Sequence, residues 1–526
     1  MVVAPLPLGA QERDEPGASP GAHRWRGPRL HRLLRSQPYP EGVSSSTSSG
    51  QPSSDNPHQA DGAPPTAAPV LAGQSSRGRR LSSATAVPHR RRWRRAAAAT
   101  AALAVIALTA WAVTDHLHTG RPGGSDTSLH SPLAQRATTP ALAEVSFSVG
   151  YAGDVLMHMP VLESTPQGSG DISSLVAAQT PWVEGVDLAL CGLEVPVAPD
   201  GMYSGYPSFG MPGQVVTSLA GAGWDGCATA SNHSVDRGQE GVEATLDALE
   251  ANGMGHAGTF RSAEDAGTPF QLYDIERGGR TITIAQIATT HDLNGYEDPT
   301  GSSVGINDAE AVKQAAIRAR AAGADLVVAH AQVGPEYDST PHPDQIHYAQ
   351  ALANTAQIDV VFGAHPHVPQ PSVKLEGGVE GRGMWVSYSA GNYISNQDEE
   401  AAGLLSDVGL FVWIDVTAHS DGTVTVDGLN WRPFTMDTAA GHLVRDLAAL
   451  HEGQRPEGLQ ISEEEIERRW SALMGFMDPA TMAQAPATPS GPVPVVLTEE
   501  QIRARAAEAS ASPEPSAPAE EAEEAG

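Results

Sequence analysis

His365 and His367 stand two apart in VVFGAHPHVPQP, residues 360–371, directly after an apolar run. Neutral imidazole is a common metal ligand, and residues i and i+2 of a near-extended loop point the same way, so the pair could meet at one ion. Two partly buried histidines bonded to backbone would leave the same local pattern. The neighbours of the pair decide between the two. EVSFSVGYAGD ends at Asp154, VDLALCGLE at Glu194 and DGCATASNH at Asn232 and His233, while ADLVVAHAQVG carries His330 and Gln332. Each of these apolar runs therefore delivers a group able to bind a metal or move a proton. In open α/β sheets, ligand sites gather beyond the carboxyl ends of the strands. A mixed set of carboxylates and imidazoles suits Mn, Fe or Zn better than Ca or Mg, which prefer oxygen ligands throughout.

The elements that must position these groups alternate. Helical patterns over 212–224, 238–253, 308–322 and 343–356 separate the strand-like runs, and a further strand is predicted over 281–288. In the second helix Val242, Leu246 and Leu249 recur at helical spacing, with Gly253 as the stop. Short apolar strands alternating with helices predict an α/β fold with buried sheets. Strands over 384–392, 408–417 and 423–431 follow without helices between them, which predicts antiparallel additions or a second sheet.

Composition divides the 526 residues. Residues 1–95 are rich in Ser, Pro, Gly and Arg and have too little apolar surface to offset the entropy of ordering, so they are predicted to be a disordered basic cytoplasmic segment. They carry 14 Arg, no Lys and 6 acidic residues, a net of +8, which leaves −38 for the rest of a chain whose total is −30. The charge changes sign at RRRWRR (90–95), followed by the uncharged AAAATAALAVIALTAWAV (96–113). As a helix those residues span roughly 27 Å, enough for a hydrocarbon core. The arginine block predicts a cytoplasmic N-terminus, a single-pass transmembrane helix and an extracellular C-terminal bulk. A cleaved signal peptide and a buried alanine-rich helix are the alternatives. The acidic outer part disfavours nucleic acid and anionic membrane surfaces as partners. Cys191 and Cys227 could pair in an oxidising compartment or stand as two small buried residues. No Gly-x-x-x-x-Gly-Lys-Ser/Thr loop is present, which argues against an ATP-driven ligase within this chain.

GDVLMH, GLEVP, SNHSVDRG, HAQVGPEY, GAHPHVPQP and SYSAGNYIS occur in an order that resembles the CapA family of capsule-synthesis proteins, across roughly residues 145 to 415. The resemblance implies a metallophosphatase-like (calcineurin-like phosphoesterase) domain over 144–440, a four-layer αββα sandwich. It would follow a 114–143 linker and precede a helical extension over 441–484 and a disordered acidic tail over 485–526. The family's pattern makes Asp154, Glu194, Asn232, His365 and His367 ligands of one or two divalent metals. It puts His233 beside the substrate, where it would stabilise or protonate a leaving oxygen, with Asp236 orienting it. Two positions depart from the pattern. A phosphoesterase usually opens with Asp-x-His, but the third position here is Leu156 and the nearest histidine is His158. Gln332 stands where the family often has a histidine, and His330, two residues earlier on the same strand face, is the substitute ligand.

The resemblance implies a membrane-anchored extracellular hydrolase-like protein acting in synthesis or export of an anionic cell-surface polymer such as poly-γ-glutamate. Its partners would be that polymer or its precursor and membrane-bound polymer synthase subunits. A non-catalytic scaffold of a polymer assembly complex, and an exported phosphodiesterase or nucleotidase, are the competing expectations.

Overall fold

The computed structural model describes residues 142–511, with side chains to 509. The predicted basic arm, the 96–113 anchor and nearly all of the linker lie outside the described residues. No helix among the described residues is long and apolar enough to cross a membrane.

Two mixed sheets pack face to face. β1 (Val145–Val155), β2 (Leu188–Leu193), β3 (Gly226–Ala228) and β4 (Gly255–Ala257) lie side by side and parallel. β5 (Gln271–Arg277) and β6 (Arg280–Thr290) form a hairpin that opens the second sheet, where β7 (Leu326–Gln332) and β8 (Val360–Ala364) run parallel to β6. β9 (Ser372–Leu375) and β10 (Met384–Ser387) extend it beyond β8. β11 (Asn392–Ile394) returns to the first sheet beside the end of β1. β12 (Val408–Ala418), β13 (Val424–Asp437) and β14 (Leu443–Asp446) are the antiparallel additions predicted for the later strands. β15 (Val495–Val496) pairs with β5 at the edge of the second sheet.

Strand alternation divides the side chains between layers. Phe147, Val149 and Tyr151 of β1 and Leu188 and Leu190 of β2 meet Leu326, Val328, Val360 and Phe362 between the sheets. The intervening Ala152, Ala189 and Cys191 face a helical layer that includes Gln214–Ala222, while Val327, Ala329 and Val361 pack on the helices Ala309–Ala321 and Pro343–Asn354. Both sheets are thus buried on both faces, as near-continuous apolar strands require. Cys191 and Cys227 stand opposite each other on β2 and β3, with Cα atoms 4.4 Å apart, and are joined as a disulfide.

The end of β1 depends on a close backbone approach. Asp154 N–H donates to Gly391 O at 3.0 Å. A Cβ on Gly153 would lie 1.8 Å from that same carbonyl, so no other residue type fits there.

The C-terminal stretch corrects the predicted boundary. Residues 485–511 were expected within a disordered tail, yet they run along the domain as a strap ending in the helix Glu499–Ala511. The cause is specific. Ser490 N–H donates to Asp187 Oδ1 at 2.6 Å, and the same oxygen pairs with Arg277 at 2.5 Å. Leu497 and Ile502 are buried against the outer face of the second sheet, and Arg505 pairs with Asp274 at 2.6 Å. A few apolar and basic residues fasten a segment whose overall composition reads as linker. Residues 512–526 lie outside the described residues.

Two glycine variants test the close approach. Gly153→Ala should destabilise the protein by about 2 kcal/mol or more, because a backbone carbonyl cannot move aside as a side chain can. Gly221→Ala, in a helix with nothing near the added methyl, should be neutral or stabilising by up to about 1 kcal/mol. Chemical denaturation of both checks the contrast.

Candidate metal centre

Five strands deliver polar groups to one end of the sandwich. Asp154 ends β1, and its Oδ2 accepts from His365 N–H at 3.2 Å and lies 3.2 Å from His367 Nδ1. Glu194 follows β2 and is 2 % exposed, yet neither of its carboxylate oxygens has a hydrogen-bond partner. Its nearest ionic neighbour is His367 Nε2, 3.5 Å from Oε1. Asn232 follows β3; its backbone N–H donates to Gln332 Oε1 at 2.8 Å, and its side-chain Oδ1 is buried without a partner.

The histidine pair converges, but not through an extended loop. His365 has φ 90° and His367 φ 59°, both in the left-handed region that costs a non-glycine residue about 1 kcal/mol or more. The turn is held in place by the Asp154 bond to His365, by Tyr337 N–H donating to Pro366 O at 2.8 Å, and by Asn392. Asn392 Oδ1 lies 3.0 Å from His367 Nδ1, and its Nδ2 donates to the carbonyls of His367 and Ser406 and to Gln397 Oε1. With Nδ1 engaged, His367 presents Nε2 to Glu194, the arrangement in which a histidine ligand is oriented by its second nitrogen.

The electrostatics follow from burial. Desolvation raises the Glu194 carboxyl well above its ordinary range, opposed by His367 and reinforced by Asp154. Burial alone would lower His367, but Glu194 and Asp154 outweigh it and raise its pKa to about 10. His365 goes the other way, held neutral by burial and by the neighbouring His367 and His291. Buried carboxylates thus rely on one imidazolium for counter-charge.

These residues fit a metal ion. Glu194, His365 and His367 each bring one ligand atom within 4.8 Å of the others. Both Glu194 oxygens, Asn232 Oδ1 and His365 Nδ1 are buried polar atoms with nothing to bond, which is costly unless a ligand completes them. Asp154, 3.2 Å from His367 Nδ1, stands next to the triplet, and the donors are those that suit Mn, Fe or Zn.

His233 and Asp236 form a separate pair. His233 Nδ1 lies 2.8 Å from Asp236 Oδ2, which also accepts Phe209 N–H at 2.7 Å. His233 Nε2 is left facing Asn294, whose Nδ2 is 3.3 Å away. Arg237 does not pair with Glu194; its guanidinium donates to the carbonyls of Phe209 and Met202 and to Ser204.

His330 does not join the cluster. It lies in the inter-sheet layer, its ring 4.9 Å from Tyr151 and 6.0 Å from Phe362, with Nε2 3.2 Å from Gln286 Nε2. Burial lowers its pKa to about 3. β7 has not slid to bring it forward, because Gln332, ahead of it on the same face, accepts from both Asn232 N–H and Thr290 Oγ1. His291 is the site histidine that the sequence reading passed over. Its ring is 4.4 Å from that of His365, and its Nδ1 is buried without a partner. β6 runs to Thr290 rather than stopping at 288, so His291 obeys the same strand-end rule as the others. Asn294, Asn396 and Gln397 carried no comparable signal.

Residues 148–397 match the family profile described as "Bacterial capsule synthesis protein PGA_cap". The chain is 28 % identical to the "Capsule biosynthesis protein CapA" of Bacillus anthracis over 188 residues, 35 % of this chain and 43 % of that protein. It is 26 % identical to the "PGA biosynthesis protein CapA" of Bacillus subtilis (strain 168) over 272 residues, 50 % of this chain and 68 % of that protein. The match therefore spans less than half of the B. anthracis relative. The CapA resemblance carried by the motifs is borne out over this span. Among solved structures, the NAD nucleotidase of Haemophilus influenzae aligns with a TM-score of 0.39 and 12 % identity, covering 70 % of this chain and 68 % of that one. The calcineurin-like phosphoesterase YfkN of B. subtilis aligns with a TM-score of 0.38 and 14 % identity, covering 63 % and 98 %.

Two measurements check the centre. Elemental analysis should find Mn, Fe or Zn in the purified protein and none in the His365→Ala/His367→Ala double variant, while Asn392→Ala should weaken metal affinity about 10–100-fold. A metal at His367 Nε2 must displace a proton that is held up to about pH 10. Burial also raises the Glu194 carboxyl, so affinity should rise about tenfold or more per pH unit through the neutral range, and calorimetry in buffers of different ionisation enthalpy should register proton release.

Proposed function

We propose that this CapA-like chain is a metal-dependent hydrolase acting at the cell surface in the synthesis or export of an anionic capsule polymer such as poly-γ-glutamate. One observation carries the proposal: a buried carboxylate with both oxygens unpartnered faces two histidines beside an Asp-held imidazole. Asp154, Glu194, Asn232, His365 and His367 would hold a divalent ion, which would supply Lewis-acid charge for a phosphoryl or carbonyl oxygen and lower the pKa of a water. The chain's own residues do the rest. His233, oriented through Nδ1 by Asp236, holds or delivers the proton of the leaving oxygen from Nε2. Asn392 keeps His367 turned towards Glu194, and Gln332 fixes the Asn232 backbone.

Cellular placement is part of the same proposal. The arginine block before residues 96–113 supports a single-pass anchor with the domain outside, and the Cys191–Cys227 disulfide agrees with an oxidising compartment. Partners are the polymer or its precursor and membrane-bound synthase subunits. A non-catalytic scaffold is the second reading, favoured by one observation: Gln332 closes on Asn232 where the family often has a histidine.

A generic phosphodiester assay on metal-loaded protein separates the two. The hydrolase reading expects metal-dependent turnover, lost with the metal in the His365→Ala/His367→Ala variant. His233→Ala should keep its metal and lose about 10²–10⁴ in kcat. Metal-loaded protein inactive on phosphodiester, ester and amide substrates would leave the scaffold.

A further inference from the structure

His158 is the nearest histidine to the place where Asp-x-His would put one, and the metal cluster does not use it. It stands three residues beyond β1. Its Nδ1 accepts the backbone N–H of Asn396 at 3.2 Å. A backbone N–H can only donate, so Nδ1 carries the lone pair and the proton of the neutral ring sits on Nε2. Burial, followed by the nearby His367, lowers its pKa to about 4, consistent with a neutral ring. The backbone of Leu156, two residues earlier, also hydrogen-bonds the ring and opposes that downward shift.

The direction of Nε2 is set by packing. The Phe209 ring stands edge-on to two imidazoles, 5.3 Å from His158 and 4.7 Å from His233, so both border the same apolar wall beside the cluster. Asn396 is itself held, its Oδ1 2.7 Å from His442 Nε2. The segment that fixes His158 is also the one that fixes His367, through Asn392 four residues earlier. The two rings are therefore registered to each other by one short piece of chain. Asn294 Nδ2, 3.3 Å from His233 Nε2, is a donor on the His233 side. Asp154, Glu194 and Asp236 are acceptors, and Arg237 is committed to carbonyls and Ser204.

We propose that His158 is an oxyanion-binding residue of this site, a neutral imidazole whose Nε2–H donates to a non-bridging oxygen of a phosphoryl substrate. This rests on the hydrolase reading and divides labour between the histidines. His233, bonded to a carboxylate, exchanges a proton, whereas His158, bonded to an N–H, holds one in place.

The test uses the full chain loaded with Mn²⁺, comparing wild type with His158→Ala, His158→Asn and His158→Gln. The readouts are metal content, inorganic phosphate binding by calorimetry, and kcat against pH on a phosphodiester. The Gln amide N–H reaches the position of Nε2; the Asn amide reaches that of Nδ1. All variants should keep the metal. Ala and Asn should lose about 10²–10³ in kcat and bind phosphate more weakly, as when one oxyanion donor is removed. Gln should recover to within about tenfold of wild type with an unchanged pH profile, a rescue that remains readable if Ala fails to fold. Wild-type phosphate binding and kcat in Asn overturn the proposal, and so does a Gln variant as impaired as Asn that has lost a limb of the pH profile. Wild-type protein that takes up no metal overturns the hydrolase reading, and this inference with it; metal and phosphate binding that survive in every variant overturn this inference alone.

Discussion

Two carboxylates, Asp154 and Glu194, are buried at the ends of adjacent parallel strands with His367 as the imidazole between them. Burying unpaired charge at a sheet end is expensive, and the rest of the site is organised around containing it. The left-handed backbone at His365 and His367, the Asn392 bond behind His367 and the close contact of Gly153 with Gly391 all bring positive or polarisable groups towards that pair. A divalent cation is the natural completion of such a centre. Without one, a single proton on His367 supplies the counter-charge. The strain and the orphaned oxygens are thus two sides of one arrangement, in which a folded scaffold holds acceptors in advance of their ligand.

Much of this was legible in the sequence because strand alternation and strand-end chemistry are local properties. The runs ending at Asp154, Glu194 and His365 gave the right groups, since an apolar strand that stops at a polar residue leaves that residue at the sheet's rim. His291 followed the same rule but was hidden by a strand read two residues too short. β4, with three residues, and β11, formed only by docking on β1, carry no periodic signal of their own. His330 shows the opposite failure. It has the chemistry of a ligand and shares a face with Gln332, yet its register places it one layer deeper, among Tyr151 and Phe362.

The piece of chain from Asn392 to Gln397 links features that sequence reasoning treated separately. Asn392 orients His367 and accepts the approach of β1; the Asn396 backbone sets the tautomer of His158; Gln397 joins Asn392 to the Tyr337 hydroxyl. Its residues are ordinary polar types, and nothing in their spacing announces the role. Tertiary placement gives it, because β11 runs parallel to the very end of β1, where the metal ligands begin.

The C-terminal strap also alters how the second sheet meets its surroundings. β5 would otherwise be an outermost strand, and β15 occupies its free hydrogen-bonding edge while Leu497, just after β15, and Ile502, in the helix Glu499–Ala511, cover the apolar face behind it. Unpaired strand edges template association with other chains. A polypeptide cut at residue 485 would keep every metal ligand and still present a bare β edge beside an uncovered apolar groove, the combination that drives self-association. The strap is therefore a solubility device for this domain, and its value lies in what it keeps the sheet from touching.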